Sequence, residues 1–388
     1  MIPAEHRFPC GQCGASLTFR PGQQELVCDW CGHRQTIGPG PARAPGRKAD
    51  DSSADPALQW SEGPRAPGPA LREIPLAEGL DLSQGAADIV QTVRTLSCPN
   101  CGAQVDLDAD HHASACPFCA TPVVTDTGPT RRIKPQGVMP FTLTEAQARA
   151  AMKAWLGSLW FAPSGLTAYA RKDRRLSGIY SPFWTFDADT TSRYRGQRGD
   201  AYYVMVQGTQ TVNGRTQTVS RQERRIRWTP VSGQVARQFN DVLIPASTAL
   251  PPRFSEAMKP WDLSAVAEYD PRFLSGFEAE GYTVPLADGH GAARQQMAQV
   301  IHQDARRSIG GAEQRVDHVD SRFVNETFKH VLLPIWAAAY RYNGASYRFV
   351  VNGQTGKVMG ERPYSAWKIA GAVAVALVAL AAILYLTQ

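Results

Sequence analysis

Cysteine is scarce in this 388-residue chain: there are eight, and none lies outside two short windows. Such scarcity excludes a disulfide scaffold. The opening stretch MIPAEHRFPC has no apolar run able to act as a signal peptide, so the body of the protein is expected in a reducing, cytosolic compartment. Catalytic signatures are missing as well. There is no GxSxG, no HExxH and no GxGxxG on a strand-to-helix turn. The one Gly-Lys pair, Gly356-Lys357, lacks the upstream glycine of a P-loop and has Val358 where Ser or Thr would hold magnesium, which excludes an ATP-driven motor of that class. What remains is an ordinary globular composition, 43% hydrophobic with 9 Trp, enough for one sizeable core plus small modules.

The eight cysteines form one frame written twice. CGQCGASLTFRPGQQELVCDWC runs from Cys10 to Cys31 and CPNCGAQVDLDADHHASACPFC from Cys98 to Cys119, each with two residues inside every pair and fourteen between pairs, displaced by 88 positions. In a reducing compartment, two CxxC turns predict a tetrahedral zinc site of four thiolates, with backbone amides pointing at the sulfurs. Disulfides or a thioredoxin-like redox pair fit less well, because the spacing is doubled and no thioredoxin-type βαβ pattern surrounds it. Gly14 and Gly102 follow the second cysteine of each first pair, where the turn needs a tight or left-handed backbone. The expectation is two structural zinc ions, one on Cys10, Cys13, Cys28 and Cys31 and one on Cys98, Cys101, Cys116 and Cys119. Below about 40 residues a core alone rarely suffices, so the metal is expected to supply much of each ribbon's folding energy. His33, His111 and His112 lie nearby and are expected as solvated loop residues, since the thiolates already complete each set.

This pattern divides the chain into a first zinc ribbon at 6–37, a Pro-, Gly- and Ala-rich disordered linker at 38–70, and a weakly structured segment at 71–95 with room for a short helix. A second ribbon at 96–126 and a main domain at 131–363 follow, and the two ribbons are expected to tumble semi-independently. In the main domain, Thr144 caps a run with apolar residues at helical spacing, Ala148, Met152, Trp155, Leu156 and Leu159. A second helix fits GAARQQMAQVIHQDARRSIG. Strands are expected in SGIYSPFWTFDADTTSRYRG, in AYYVMVQGTQTVNGRTQTVSRQERRIRW and after the second helix, with Asn213-Gly214 and Asn343-Gly344 as hairpin turns. The fold class is α+β: two small four-cysteine zinc ribbons, an antiparallel-sheet α+β main domain and one C-terminal transmembrane helix.

That last helix is read at 369–386, eighteen residues with neither charge nor proline. At about 1.5 Å per residue it nearly spans a hydrocarbon core of roughly 30 Å. Trp367 and Tyr385 stand at its ends as interfacial anchors, and Arg362 and Lys368 precede it, so the positive-inside rule keeps the large N-terminal part cytoplasmic.

Charge is uneven. Between Arg171 and Arg227 twelve Lys or Arg face five Asp or Glu, a local excess above the +6 of the whole chain. Such a face is open to three readings: a solvated surface, contact with anionic lipid, or nucleic-acid binding. Two carboxylate pairs, Asp187 with Asp189 and Glu278 with Glu280, share strand faces and would suit a cation or acid–base chemistry, but such pairs more often serve as caps or salt-bridge partners.

Taken together, WFAPSGL, GIYSPFWTFDADT, PWDL, GFEAEGYTVPL and TFKHVLLPIWAAAYRYNGASYRFVVNGQTGKVMGERPYSAWKI, with the second cysteine frame, resemble the bacterial TFIIB-type zinc-ribbon membrane proteins. These often carry the label primosomal protein N′ (replication factor Y), a superfamily II helicase, which the missing P-loop of this chain contradicts. The resemblance covers roughly 98–368 and brings no catalytic residues. Where the family usually reads Gly-Gly-Asp-x-Gln, this chain has Gly310-Gly311-Ala312-Glu313-Gln314, which weakens an acidic site there. It implies a single-pass protein of the bacterial inner membrane that acts as an adaptor, with SPFH (flotillin-like) and phage-shock PspA-like proteins as partners. The rival class is a nucleic-acid-binding zinc-ribbon protein. The apolar tail and the lack of interleaved basic and aromatic residues in the cysteine frames favour the adaptor, a non-enzymatic role.

Overall fold

The structure, a computed structural model, describes residues 8–37, 61–62, 71–81, 89–106, 116, 118, 126–158, 176–212, 215–342, 345–361 and 365–386. Most of the 38–70 linker, together with Cys119, His111 and His112, lies outside them. Three short strands open the chain, β1 (Leu17–Arg20), β2 (Glu25–Cys28) and β3 (Arg34–Thr36), paired antiparallel in that order. Next come β4 (Ser61–Glu62), β5 (Ile74–Pro75), helix α1 (Leu76–Leu80), β6 (Val90–Ser97), β7 (Gln104–Asp106), β8 (Asp126–Ile133) and β9 (Gly137–Val138). Helix α2 (Glu145–Gly157) begins as the sequence predicts: the Thr144 side chain accepts from the Gln147 N–H and the Gln147 side chain returns the contact, a full capping box.

Strand β10 (Ser177–Val212) and β11 (Arg215–Pro245) form one antiparallel hairpin, with β10 paired along 183–212. The first expected run and the part of the second up to Val212 are therefore joined in one strand of 36 residues, about 115 Å of extended backbone, while the rest of the second run opens β11. Helix α3 (Pro252–Ala257), β12 (Ala267–Glu268), β13 (Glu278–Gly281) and helix α4 (Leu286–Ile309) follow. Gly310 and Gly311 then adopt φ of 65° and 80° and turn the chain sharply into β14 (Glu313–Tyr342). β14 lies antiparallel against β10 from Glu313 beside Gly199 to Ala337 beside Ser177. The sheet closes with β15 (Ala345–Asn352) and β16 (Val358–Gly360), and helix α5 (Ala366–Leu386) ends the described chain. Between β15 and β16 the Asn352 carboxamide accepts from the N–H groups of Gln354 and Thr355, so NGQTGKV is an Asx-type turn.

The long sheet has two ends with different surroundings. Along β10, Trp184, Phe186 and Ala188 pack under α4 through Ala293, Met297 and Ile301, joined by Ile74 and Leu76. Residues 71–81, part of the segment 71–95 expected to be weakly structured, thus belong to the main core, held by Ile74 and Leu76 and by the pairing of β5 with β14. At the other extreme the pairing with β14 stops at Gly199, and β10 and β11 run on as an arm that, among the described residues, is two-stranded. Because β16 runs in the same direction as β14, it carries the chain toward the end opposite this arm, and α5 follows there.

Candidate metal centres

Three of the cysteine turns share one backbone geometry. Cys10, Cys28 and Cys98 each donate an N–H to the carbonyl five residues on, of Ala15, His33 and Ala103, at 2.7, 2.8 and 2.8 Å. Gly14, Gly32 and Gly102 return an N–H to the same cysteines at 2.8, 2.9 and 3.0 Å, with φ of 76°, 75° and 73°. A side chain there would be forced into the left-handed region, so glycine is what lets both thiols of a pair face one point. The fourth turn has Ala120 at the matching place, outside the described residues.

In the first module the sulfurs of Cys10, Cys13, Cys28 and Cys31 all lie within 4.8 Å of one another, with Cys10 to Cys31 and Cys13 to Cys28 at 3.5 Å. In the second, Cys98, Cys101 and Cys116 converge in the same way, Cys101 to Cys116 at 3.6 Å, while the expected fourth ligand Cys119 lies outside the described residues. Tetrahedral thiolate sites with metal–sulfur bonds of about 2.3 Å have sulfur–sulfur edges of about 3.8 Å, so both groups could hold a metal ion. The electrostatics favour one. Backbone donors, led by the Cys31 N–H, hold the Cys28 thiol down to about 7. Cys13 is pushed up to about 12: the Ala15 N–H favours its thiolate, but the neighbouring sulfurs and burial outweigh it. Four thiolates so close cannot all stay ionised unless a cation sits among them. His33 contributes its carbonyl to Cys28 and is outside the sulfur group.

Both modules are built into the main core rather than held beside it. Leu17, Phe19, Leu26, Cys10 and Cys28 are buried with Phe141, Tyr180, Phe273 and Trp336. Phe19 meets Phe273 and Phe277 edge-on at 5.3 and 6.1 Å, Phe277 stacks on Phe141 at 4.4 Å, and Phe141 touches Tyr180 and Trp336. Backbone bonds fix the register: Phe19 N–H to the Ser275 carbonyl at 3.0 Å and Gly22 N–H to the Phe141 carbonyl at 2.9 Å. On the other side, Cys98, Ala103, Cys116 and Phe118 are buried with Ile179, Ile335, Ala337 and Val350, and β7 pairs with β13. Tyr180, Trp336 and Val351 alternate along their strands with Ile179, Ala337 and Val350, so the two modules grip opposite faces of one sheet end. The expected semi-independent tumbling is thereby corrected. Phe19 and Phe118 enter these shared clusters beside the buried cysteines, and an aromatic or apolar residue inside a cysteine frame is the sequence signal that could have revealed it.

The acidic pairs do not form open sites. Asp187 is buried beside Lys329, whose Nζ lies 2.9 Å from it and 2.8 Å from Asp241, and it also accepts the Asp241 N–H. Burial raises the Asp187 carboxyl, against the pull of Lys329, and Lys329 is itself raised because the two carboxylates outweigh its desolvation. Asp189 accepts from the Asn325 amide at 2.9 Å. Glu280, also buried, accepts from Ser181 at 2.9 Å and from Ser247, while Glu278 sits half-buried on β13. A buried acidic residue held by a lysine or two hydroxyls ties strands together.

The arm holds the later part of the basic stretch. Arg221, Arg224, Arg225 and Arg227 line β11 opposite the β10 run from Asp200 to Val206, and the Arg227 guanidinium lies 5.3 Å from the Tyr202 ring centre. Arg193 and Arg195 stand exposed on β10 nearer the helices. Residues 159–175, including Arg171, fall outside the described chain.

Helix α5 contains a span, Trp367–Tyr385, of mean hydropathy 2.2, long and apolar enough to cross a membrane, and none of that span is buried in the structure. No family model matches the chain, and no solved structure matches it. It is similar to YdjG of Bacillus subtilis (strain 168), described as an uncharacterized protein, 25% identical over 249 residues. That match takes in 61% of this chain and 66% of the relative, just under two thirds of the relative's length.

Proposed function

We propose that this chain is a tail-anchored membrane adaptor whose cytoplasmic body holds two zinc ions and projects a β-arm away from the bilayer toward soluble partners. The opposite placement of α5 and the arm carries the reading: the apolar helix follows from one end of the long sheet and the two-stranded hairpin leaves the other. A rod-like sheet with an anchor at one end suits recruitment at a distance. Arg362 and Lys368 beside the helix favour a cytoplasmic body. Zinc is the metal of choice for closed four-thiolate sites in a reducing compartment, and here each ion would lock a module against one face of the anchored end. No catalytic role is assigned to Asp187, Asp189, Glu278 or Glu280. The strand directions carry Arg221 to Arg227 away from the anchor, which argues against lipid contact by those residues. The family resemblance points to SPFH-type and PspA-like partners.

The test is localisation in cells. A labelled SPFH or PspA-like protein should follow the full-length chain to the membrane, and return to the cytosol when 369–388 is deleted or when 200–227 is replaced by a tight turn. Unchanged distribution across the three forms would overturn the adaptor reading. Elemental analysis of the purified full chain should return two zinc ions; a value near zero would overturn the metal assignment.

A further inference from the structure

The arm has two edges, and they differ. On β11 the outer edge carries Arg221, Arg224, Arg225, Arg227 and Pro230, the charges and proline by which natural sheets blunt an unpaired strand. On β10 the stretch Ala201 to Val212 has neither a charge nor a proline and is rich in β-branched and aromatic residues. Its edge is covered by β14 as far as Gly199; beyond that, among the described residues, no strand pairs with it. Tyr203 and Met205, next to this open edge, are 60% and 68% exposed.

The first residues of β14 display what a strand seated there meets. Glu313, paired with Gly199, reaches across β10 to Arg224 on β11 at 3.4 Å. Gly199 permits the crossing: a Cβ there would approach Ile226 at 2.8 Å, Trp228 at 3.0 Å and Glu313 itself at 3.1 Å. Arg224 pairs across the hairpin with Tyr203, and Gln222 with Met205, so an arginine, an aromatic ring and a thioether share the face that a further strand would extend.

We propose that the outer edge of β10 from Asp200 to Val212 seats an extended, acidic β-strand of a partner protein, continuing the place that β14 holds up to Gly199. Main-chain hydrogen bonds would supply affinity, and acidic side chains two residues apart on the Tyr203 face would supply specificity through Arg224. This names the contact surface of the adaptor reading and rests on it.

The probe is a fluorescent peptide of alternating Thr and Glu, with an alternating Thr and Lys peptide and a single-stranded DNA oligonucleotide as rivals, added to the full chain in detergent. The Thr–Glu peptide should bind and slow backbone hydrogen exchange between Asp200 and Val212, with the Thr–Lys peptide at least about tenfold weaker, the size of a 1.4 kcal/mol difference. Arg224→Ala should weaken binding severalfold, and Arg221→Ala, on the opposite face, should have the smaller effect. Met205→Pro should interfere with strand addition. Equal affinity for both peptides, binding without slowed exchange, tighter protection by DNA, or protection that grows with protein concentration in the absence of peptide would each overturn the proposal, the last two in favour of nucleic acid and of a second copy. Peptide binding that persists when recruitment in cells fails would remove the adaptor reading and leave the edge standing. Recruitment that needs 200–227 while the peptide fails would remove the acidic strand alone.

Discussion

The two ends of the long sheet are built from the same strands and obey different rules. At the end away from the arm, β10, β14 and β15 are covered on both faces by the cysteine modules, and Tyr180, Phe141, Ile335 and Val351 are all at most 1% exposed. At the arm, β10 and β11 continue past the last pairing with β14, and stability there comes from main-chain pairing and contacts such as Arg227 with Tyr202. The difference teaches where substitutions will be felt: one end answers to packing and metal, the other to whatever binds it.

The largest effect should come from breaking the first candidate metal centre. Cys28→Ser, or removal of metal by a strong chelator, leaves unpaired thiols in a buried turn and frees Leu17, Phe19 and Leu26 from the aromatic cluster. Because the module shares its core with the sheet, the main melting transition should fall by about 10 °C or more, not only a small local one, with a red shift in tryptophan emission as Trp336 is uncovered. An unchanged main transition would mean that the modules are independent after all. Next is Phe141→Ala, which empties the centre of the same cluster and should cost about 3–5 kcal/mol in denaturant unfolding.

A smaller effect lies between the two ends, at His330. Its ring is buried against Trp184 and Tyr282, Nδ1 contacts the Ile133 carbonyl at 3.0 Å, and Nε2 has no hydrogen-bond partner among the described residues. Burial pushes its pKa down to about 4, with the nearby Arg132 charge adding to the effect. A histidine depressed in the folded state is protonated first in the unfolded chain. Its neutral form therefore costs nothing above about pH 7, and stability drains away as pH falls from about 6.5 toward 4. The loss should be about 2 kcal/mol between about pH 7.5 and 5, measured by urea unfolding, and His330→Gln should remove most of that slope. A wild-type slope equal to the variant's would show that the ring is solvated.

Smallest of all, Tyr203→Ser and Met205→Ser on the arm should change unfolding free energy by no more than about 0.5 kcal/mol each, since both side chains are exposed. A larger loss would mean that the arm is covered in the isolated protein, and the contrast between the ends would dissolve.

What could be read beforehand was local. Two CxxC turns with glycine behind them, a Thr144–Gln147 capping box and an uncharged apolar tail are each decided within a few residues, because they depend on φ, on hydrogen-bond reach and on transfer to hydrocarbon. The expected Asn213-Gly214 and Asn343-Gly344 turns lie outside the described residues, between the facing pairs Val212 with Arg215 and Tyr342 with Ala345. Everything that joined distant parts was invisible. Nothing near Gly196 or Gly199 says that β10 runs through them unbroken; that follows from β11 and β14 pairing on either side and from the small gap their glycines leave for Ile309, Arg315 and Trp228. Likewise nothing near Phe19 in the sequence says that Phe273 and Phe277 lie beneath it. The sequence by itself determined the cysteine clusters, the start of helix α2 and the apolar tail, whose energetics are local. Only the tertiary structure decided that the modules close on opposite faces of one sheet end and that β10 outruns β14, because both depend on strand register and shared apolar surface between residues far apart in the chain.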